Sequence, residues 1–153
     1  MKKFLAVISL LLAMCLYFTS CGGSTKKESE FFDLVSETQE LLDEYADDIY
    51  SCWYDYIYED EYLSVDSAIL SAMNMNSDNI DIIESNNERI KELYKKAKDG
   101  KLESEVKEVM QAYNDYYAFV MEVSGSFNSF SASKETLKKE LSSALKNLEF
   151  ELD

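Results

Sequence analysis

The sequence predicts an all-α protein, an antiparallel bundle of about four helices, and three observations carry that expectation. The 153 residues include no proline and only four glycines, so helices can run long without a breaker. Apolar residues recur at steps of three and four along most of the chain, the spacing of one helix face. No stretch alternates apolar and polar residues as a half-buried strand would, and no internal repeat is visible.

The first helix is expected from about Phe31 to Tyr58. Phe31, Leu34, Val35, Thr38, Leu41, Leu42, Tyr45, Ile49, Cys52, Trp53, Tyr56 and Ile57 follow the helical step, and the element would be roughly 42 Å long at 1.5 Å per residue. "EDEYLS" then turns the chain. Val65, Ile69, Ala72 and Met73 open a second helical stretch, "NMNSDN" interrupts it, and Ile80, Ile83, Ile90, Leu93, Tyr94 and Ala97 resume it. One kinked helix and two separate helices both fit over residues 64–98. Ser77 or Asp78 is suited to cap a fresh start, because either side chain accepts from free backbone N–H groups. "KDGK" closes the stretch, with Gly100 placed for the left-handed residue after a helix end. Lys95, Lys96 and Lys98 suit the negative end of the helix dipole.

Leu102, Val106, Val109, Met110, Tyr113, Tyr117 and Val120 define the third helix; Leu137, Leu141, Leu145, Leu148 and Leu152 define the last. Between them "SGSFNSFSAS" reads as a crossing. Gly125 ends one helix, Ser133 caps the next, and Phe127 and Phe130 pin the crossing to the core.

The amino terminus carries a different signal. Lys2 and Lys3 precede an uncharged run from Phe4 to Phe18, then small residues, the three-part pattern of a secretory signal. The run falls short of the roughly 20 apolar residues that a membrane-spanning helix needs. Phe18, Thr19, Ser20 and Cys21 resemble the bacterial lipoprotein signal, although Phe18 stands where that signal usually has an aliphatic residue. The resemblance implies removal of residues 1–20, lipid on Cys21 and an address on the outer face of a cell membrane. A plain secreted protein is the alternative. Residues 21–30 then form a flexible tether and 31–153 a single domain. Of the three cysteines, only Cys52 remains after Cys15 leaves and Cys21 is acylated, so no internal disulfide can form.

Charge excludes several functions. Loss of Lys2 and Lys3 would leave 13 basic against 30 acidic residues, a net charge of −17. Nucleic acid is not an expected partner, since phosphate binding needs a basic stripe. From Lys27 to Arg89 there is no intervening Lys or Arg, while residues 28–88 hold 18 acids.

Catalytic groups are scarce. With no histidine, Ser–His triads, Cys–His pairs and His-based zinc sites are all out of reach. Cys52 lies on the apolar stripe with no imidazole to activate it, which suits an inert core thiol. "NMNSDNIDIIES" fails as a calcium loop: Asn79 replaces the turn glycine, and Ser85 stands where a bidentate glutamate is needed. No metal or cofactor is expected.

One constellation stands out on the first helix. At about 100° per residue, Val35, Leu42, Ala46, Ile49 and Ile57 line up with Trp53. Tyr50, Tyr54 and Tyr58 fall progressively to one side, sharing that flank with Asp43, Asp47 and Glu61. Aromatic faces among carboxylates suit an organic cation or a basic protein surface. Alternatively the tyrosines pack under a neighbouring helix with only their hydroxyls wet.

Ser124, Gly125, Ser126, Phe127, Ser129, Phe130 and Ser131 resemble a serine–glycine–serine, aromatic, serine segment of small exported Firmicute proteins of unknown function. Those proteins also carry a tryptophan on an upstream helix, here Trp53. They often have proline before the first serine, where this chain has Val123. The resemblance implies an all-helical fold over residues 30–150 and no known activity. The expected function is a membrane-anchored, extracytoplasmic, non-catalytic protein-binding module. Receptors for a small cationic solute and phage-exclusion or immunity lipoproteins are the alternatives.

Overall fold

The computed structural model describes residues 25–153, and five helices hold most of them: α1 Lys26–Tyr58, α2 Val65–Met75, α3 Ser77–Ala97, α4 Glu103–Met121 and α5 Phe127–Leu152. No strand occurs among the described residues. The all-α class therefore holds, with five helices where about four were expected. The expected signal segment, residues 1–20, and Cys21 lie outside the described residues.

Helix α1 starts five residues before Phe31, so residues 26–30 belong to the folded domain and not to a tether. "KKESE" is built from adequate helix formers but has no apolar residue, and apolar periodicity is blind to it. Glu28 is nevertheless buried, with its carboxylate against Gly100. That contact corrects the reading of Gly100. Among the described glycines, only Gly125 has a left-handed φ, at 89°. The absent side chain of Gly100 leaves the space that the Glu28 carboxylate occupies, since a Cβ there would overlap Glu28 Oε1.

Residues 64–98 form two helices. Ser64 caps α2 through a reciprocal box with Ser67: each backbone N–H donates to the other's hydroxyl, at 3.1 and 3.0 Å. The break falls at Asn76. Its Nδ2 donates to Asp48 Oδ2 at 2.8 Å and to the Ala72 carbonyl at 3.0 Å, while Asn79 Nδ2 donates to Glu44 Oε2 at 3.3 Å. Two carboxylates of α1 thus hold the interruption in place. Neither Ser77 nor Asp78 is the cap; both lie inside α3, which Asn76 precedes.

α1 packs against all four other helices. Phe31, Val35, Leu42, Ala46, Ile49 and Trp53 bury its inner face, met by Ile83 and Ile90 of α3, Val106, Val109 and Tyr113 of α4, and Phe130, Leu141 and Leu148 of α5. Ile57, expected on the same stripe, is exposed. Tyr116, not Tyr117, is the second wholly buried tyrosine of α4. Buried polar groups find partners within the core: Asn86 Nδ2 donates to Thr38 Oγ1 at 3.2 Å, and the Tyr113 hydroxyl donates to Asn87 Oδ1 at 3.3 Å. Cys52 is a buried free thiol, with the Tyr62 hydroxyl 3.5 Å from its sulfur.

The α1–α5 register can be read from side chains. Gln39 meets Ser142 at 2.7 Å, Asp43 meets Lys138 at 3.1 Å, and Asp47 meets Lys134 at 2.5 Å. Each step of four up α1 is a step of four down α5, so this pair runs antiparallel.

Candidate functional site

The site begins with a turn. Gly125 takes its left-handed φ where an added Cβ would also lie 2.8 Å from Ser129 Oγ. Ser126 follows as the cap of α5, its Oγ accepting from Ser129 N at 3.2 Å while Ser129 Oγ accepts from Ser126 N at 2.9 Å. The helix therefore starts at Phe127, and Ser133, expected as its cap, lies within it. "SGSFNS" reads as a loop by composition because serine in place of Glu or Gln at the third position disguises the capping box.

This early start sets Phe127 against the tyrosine row. Its ring centroid is 5.1 Å from Tyr50, 6.3 Å from Tyr54, 6.4 Å from Tyr58 and 6.0 Å from Trp53. Tyr54 and Tyr58 are 4.6 Å apart, and Trp53 reaches Phe130 at 5.7 Å. Such distances are favourable for aromatic pairs. The row is therefore a contiguous aromatic strip packed around one phenylalanine.

The carboxylates expected beside the row divide into two groups. Asp43 accepts from the Tyr116 hydroxyl at 2.7 Å and pairs with Lys138. Asp47 pairs with Lys134, whose Nζ also lies 4.8 Å from the Tyr50 ring centroid. The cation that this constellation suits is present in the same chain. Tyr50, Asp43 and Asp47 are thus occupied internally, as the packing alternative requires. Tyr54 and Tyr58 remain in water, 39% and 59% exposed, and Glu61 is exposed beyond them. The six residues do not form one open ridge; its upper end alone is free.

The hydrogen bond that Lys138 donates to Asp43 raises the Lys138 pKa, and burial, followed by the same carboxylate, raises that of Tyr116. Sequence reasoning missed Lys134 and Lys138. Their spacing of four matches that of Asp43 and Asp47, but only the antiparallel register shows that the two pairs meet.

A second feature is an open groove of about 720 Å³ between α4 and α5. Ala112 and Ala144 leave it room, and Glu108, Asp115, Glu135 and Glu140 line it with Lys139 as the one basic residue. Among the described residues no cluster of His, Cys, Asp or Glu is arranged to hold a metal ion, and no helix is long and apolar enough to cross a membrane. The segment tested as a calcium loop is helical on both sides of Asn76. No protein-family model, curated protein or solved structure matches the chain.

Proposed function

We propose that the chain is a non-catalytic protein-binding module, held on the outer face of a cell membrane by lipid on Cys21. In this reading the far end of α1 meets the partner. The observation that carries it is the exposed pair Tyr54 and Tyr58, braced by Phe127 at the C-terminal end of α1. The 33 residues of α1 span roughly 50 Å, so the pair stands clear of a lipid surface. Tyrosine suits such a place, since it gives a large contact area and a polar tip at low entropic cost. Taken with α2 and α3 as one interrupted column, the domain acts as a stiff spacer of four antiparallel columns. Net charge favours a partner with a basic surface.

Truncation tests the reading. Tyr54→Ala with Tyr58→Ala should leave helicity intact and reduce partner crosslinking on intact cells by roughly tenfold or more. Undiminished crosslinking would remove the aromatic end as the contact.

The groove between α4 and α5 favours a second reading, a receptor for a small cationic solute. It sets four carboxylates around a concave surface, where the sequence suggested only an apolar seam. Calorimetric titration with spermidine separates the two readings; an absence of heat at physiological salt eliminates the second.

A further inference from the structure

Helix α2 is the most apolar of the five in composition, yet only Ala68 and Ala72 are buried in it. It packs against α1 and α3 and, among the described residues, meets neither α4 nor α5. Val65 and Ile69 pack half-buried against the core, while Leu70 and Met73 turn outward, 54% and 43% exposed. Leu63, just before the Ser64 cap, is 100% exposed. An apolar residue at that position ordinarily folds back onto the fourth residue of its helix. Here that residue is Ala68, small and wholly buried, and Leu63 has no cover among the described residues. Asp66, Leu70 and Met73 follow steps of four and three, which places them along one side of the helix, with Leu63 exposed just ahead of its Ser64 cap.

The charge around this row has one sign. Glu59, Asp60, Glu61 and Asp66 are exposed, and none has an ion-pair partner among the described residues. Asp43 and Asp47, by contrast, each have a lysine of α5. α2 covers the flank of α1 that holds Asp48, to which Asn76 is bonded. Tyr54 and Tyr58 lie on the other flank, toward α5.

We propose that the outer face of α2, with Leu63, docks a Lys/Arg-rich amphipathic helix of another protein. The apolar stripe of such a helix recurs at the same steps of three and four and would cover Leu63, Leu70 and Met73. Its flanking cations would meet the unpaired carboxylates. Charge complementarity selects this occupant: a second copy would bring the acidic rim against itself, and an anionic lipid surface would be repelled by it. The apolar row of this surface does not include the tyrosine pair, although the two share Glu61 in their acidic rim.

The test titrates the full mature chain with a Leu/Lys amphipathic model helix and with its Leu/Glu counterpart, and maps contacts by hydrogen exchange. The lysine peptide should bind, protect residues 63–75, and lose affinity roughly tenfold or more on Leu63→Ser with Leu70→Ser and Met73→Ser. Phe150→Ser, which removes an exposed apolar residue from α5, should leave binding unchanged. Because all three positions are exposed, melting of the triple variant reports directly on folding; Asp66→Lys supplies an independent variant that should also weaken binding. Equal binding of the glutamate peptide, protection of residues 50–58 in place of 63–75, or undiminished binding by the triple variant would each overturn the proposal. So would self-association or binding to anionic vesicles that the triple variant abolishes.

Discussion

Glu28 and Gly100 meet at the foot of the bundle, and their contact constrains both residues. Glu28 Oε1 is buried with no hydrogen-bond partner among the described residues, and Gly100 leaves the space it occupies. Gly100→Ala should therefore displace the Glu28 carboxylate, at a cost of about 1 kcal/mol. Glu28→Ala in the same chain should restore most of that loss, giving a strongly non-additive double-mutant cycle by denaturant unfolding. Additive effects would show that the glycine is needed for its backbone alone. A buried glutamate in a run of charged residues has no sequence signature, whereas Trp53 and Ile49 are legible from their spacing. Gly100 was legible as a helix end but not as a contact, because no periodicity links it to residue 28. Ile57 shows the reverse case: it keeps the core spacing and is nevertheless exposed.

Elements were legible where apolar spacing ran unbroken, and α1 and α4 follow it closely. Their starts were harder to read. α1 begins on charged residues, and α5 begins on a serine box seven residues before the expected cap at Ser133. The interruption between α2 and α3 depends on a long-range bond that spacing cannot reveal. Asn76 is buried and donates to Asp48, so Asn76→Ala should cost about 1.5–3 kcal/mol, the range for a hydrogen bond to a charged group. Circular dichroism melts of the variant beside Asp48→Asn check this: the asparagine can still accept and should lose less. The candidate site was half legible for the same reason. Tyr50, Tyr54 and Tyr58 could be placed on one flank, but Lys134 and Lys138 reach Asp47 and Asp43 only through a register set by the whole bundle.

At the scale of the molecule, the core leans on tyrosine. Burial raises the pKa of Tyr113 and Tyr116 above the ordinary 10.0, and the bond donated to Asp43 raises that of Lys138 above 10.5. The unfolded chain would release these protons near the ordinary values, while the folded chain retains them to higher pH. Above pH 10 the folded state thus holds more protons, and stability must fall as pH rises. Melting temperature should hold up to about pH 9 and drop steadily from pH 10, less steeply in Tyr116→Phe. A flat profile across that range would contradict the burial of these hydroxyls.

Charge has a second consequence at this scale. With 30 acidic and 15 basic residues, the chain repels itself and any acidic surface. The basic residues of α5 are partly spent on α1, leaving the upper end of the molecule acidic and, at Tyr54 and Tyr58, aromatic. The most direct measurement places a photo-crosslinking amino acid at position 58, and separately at position 150, in the full chain on intact cells. Binding through the aromatic end predicts one abundant protein adduct from position 58 and none from position 150. No protein adduct at position 58, or the same adducts from both positions, would contradict it.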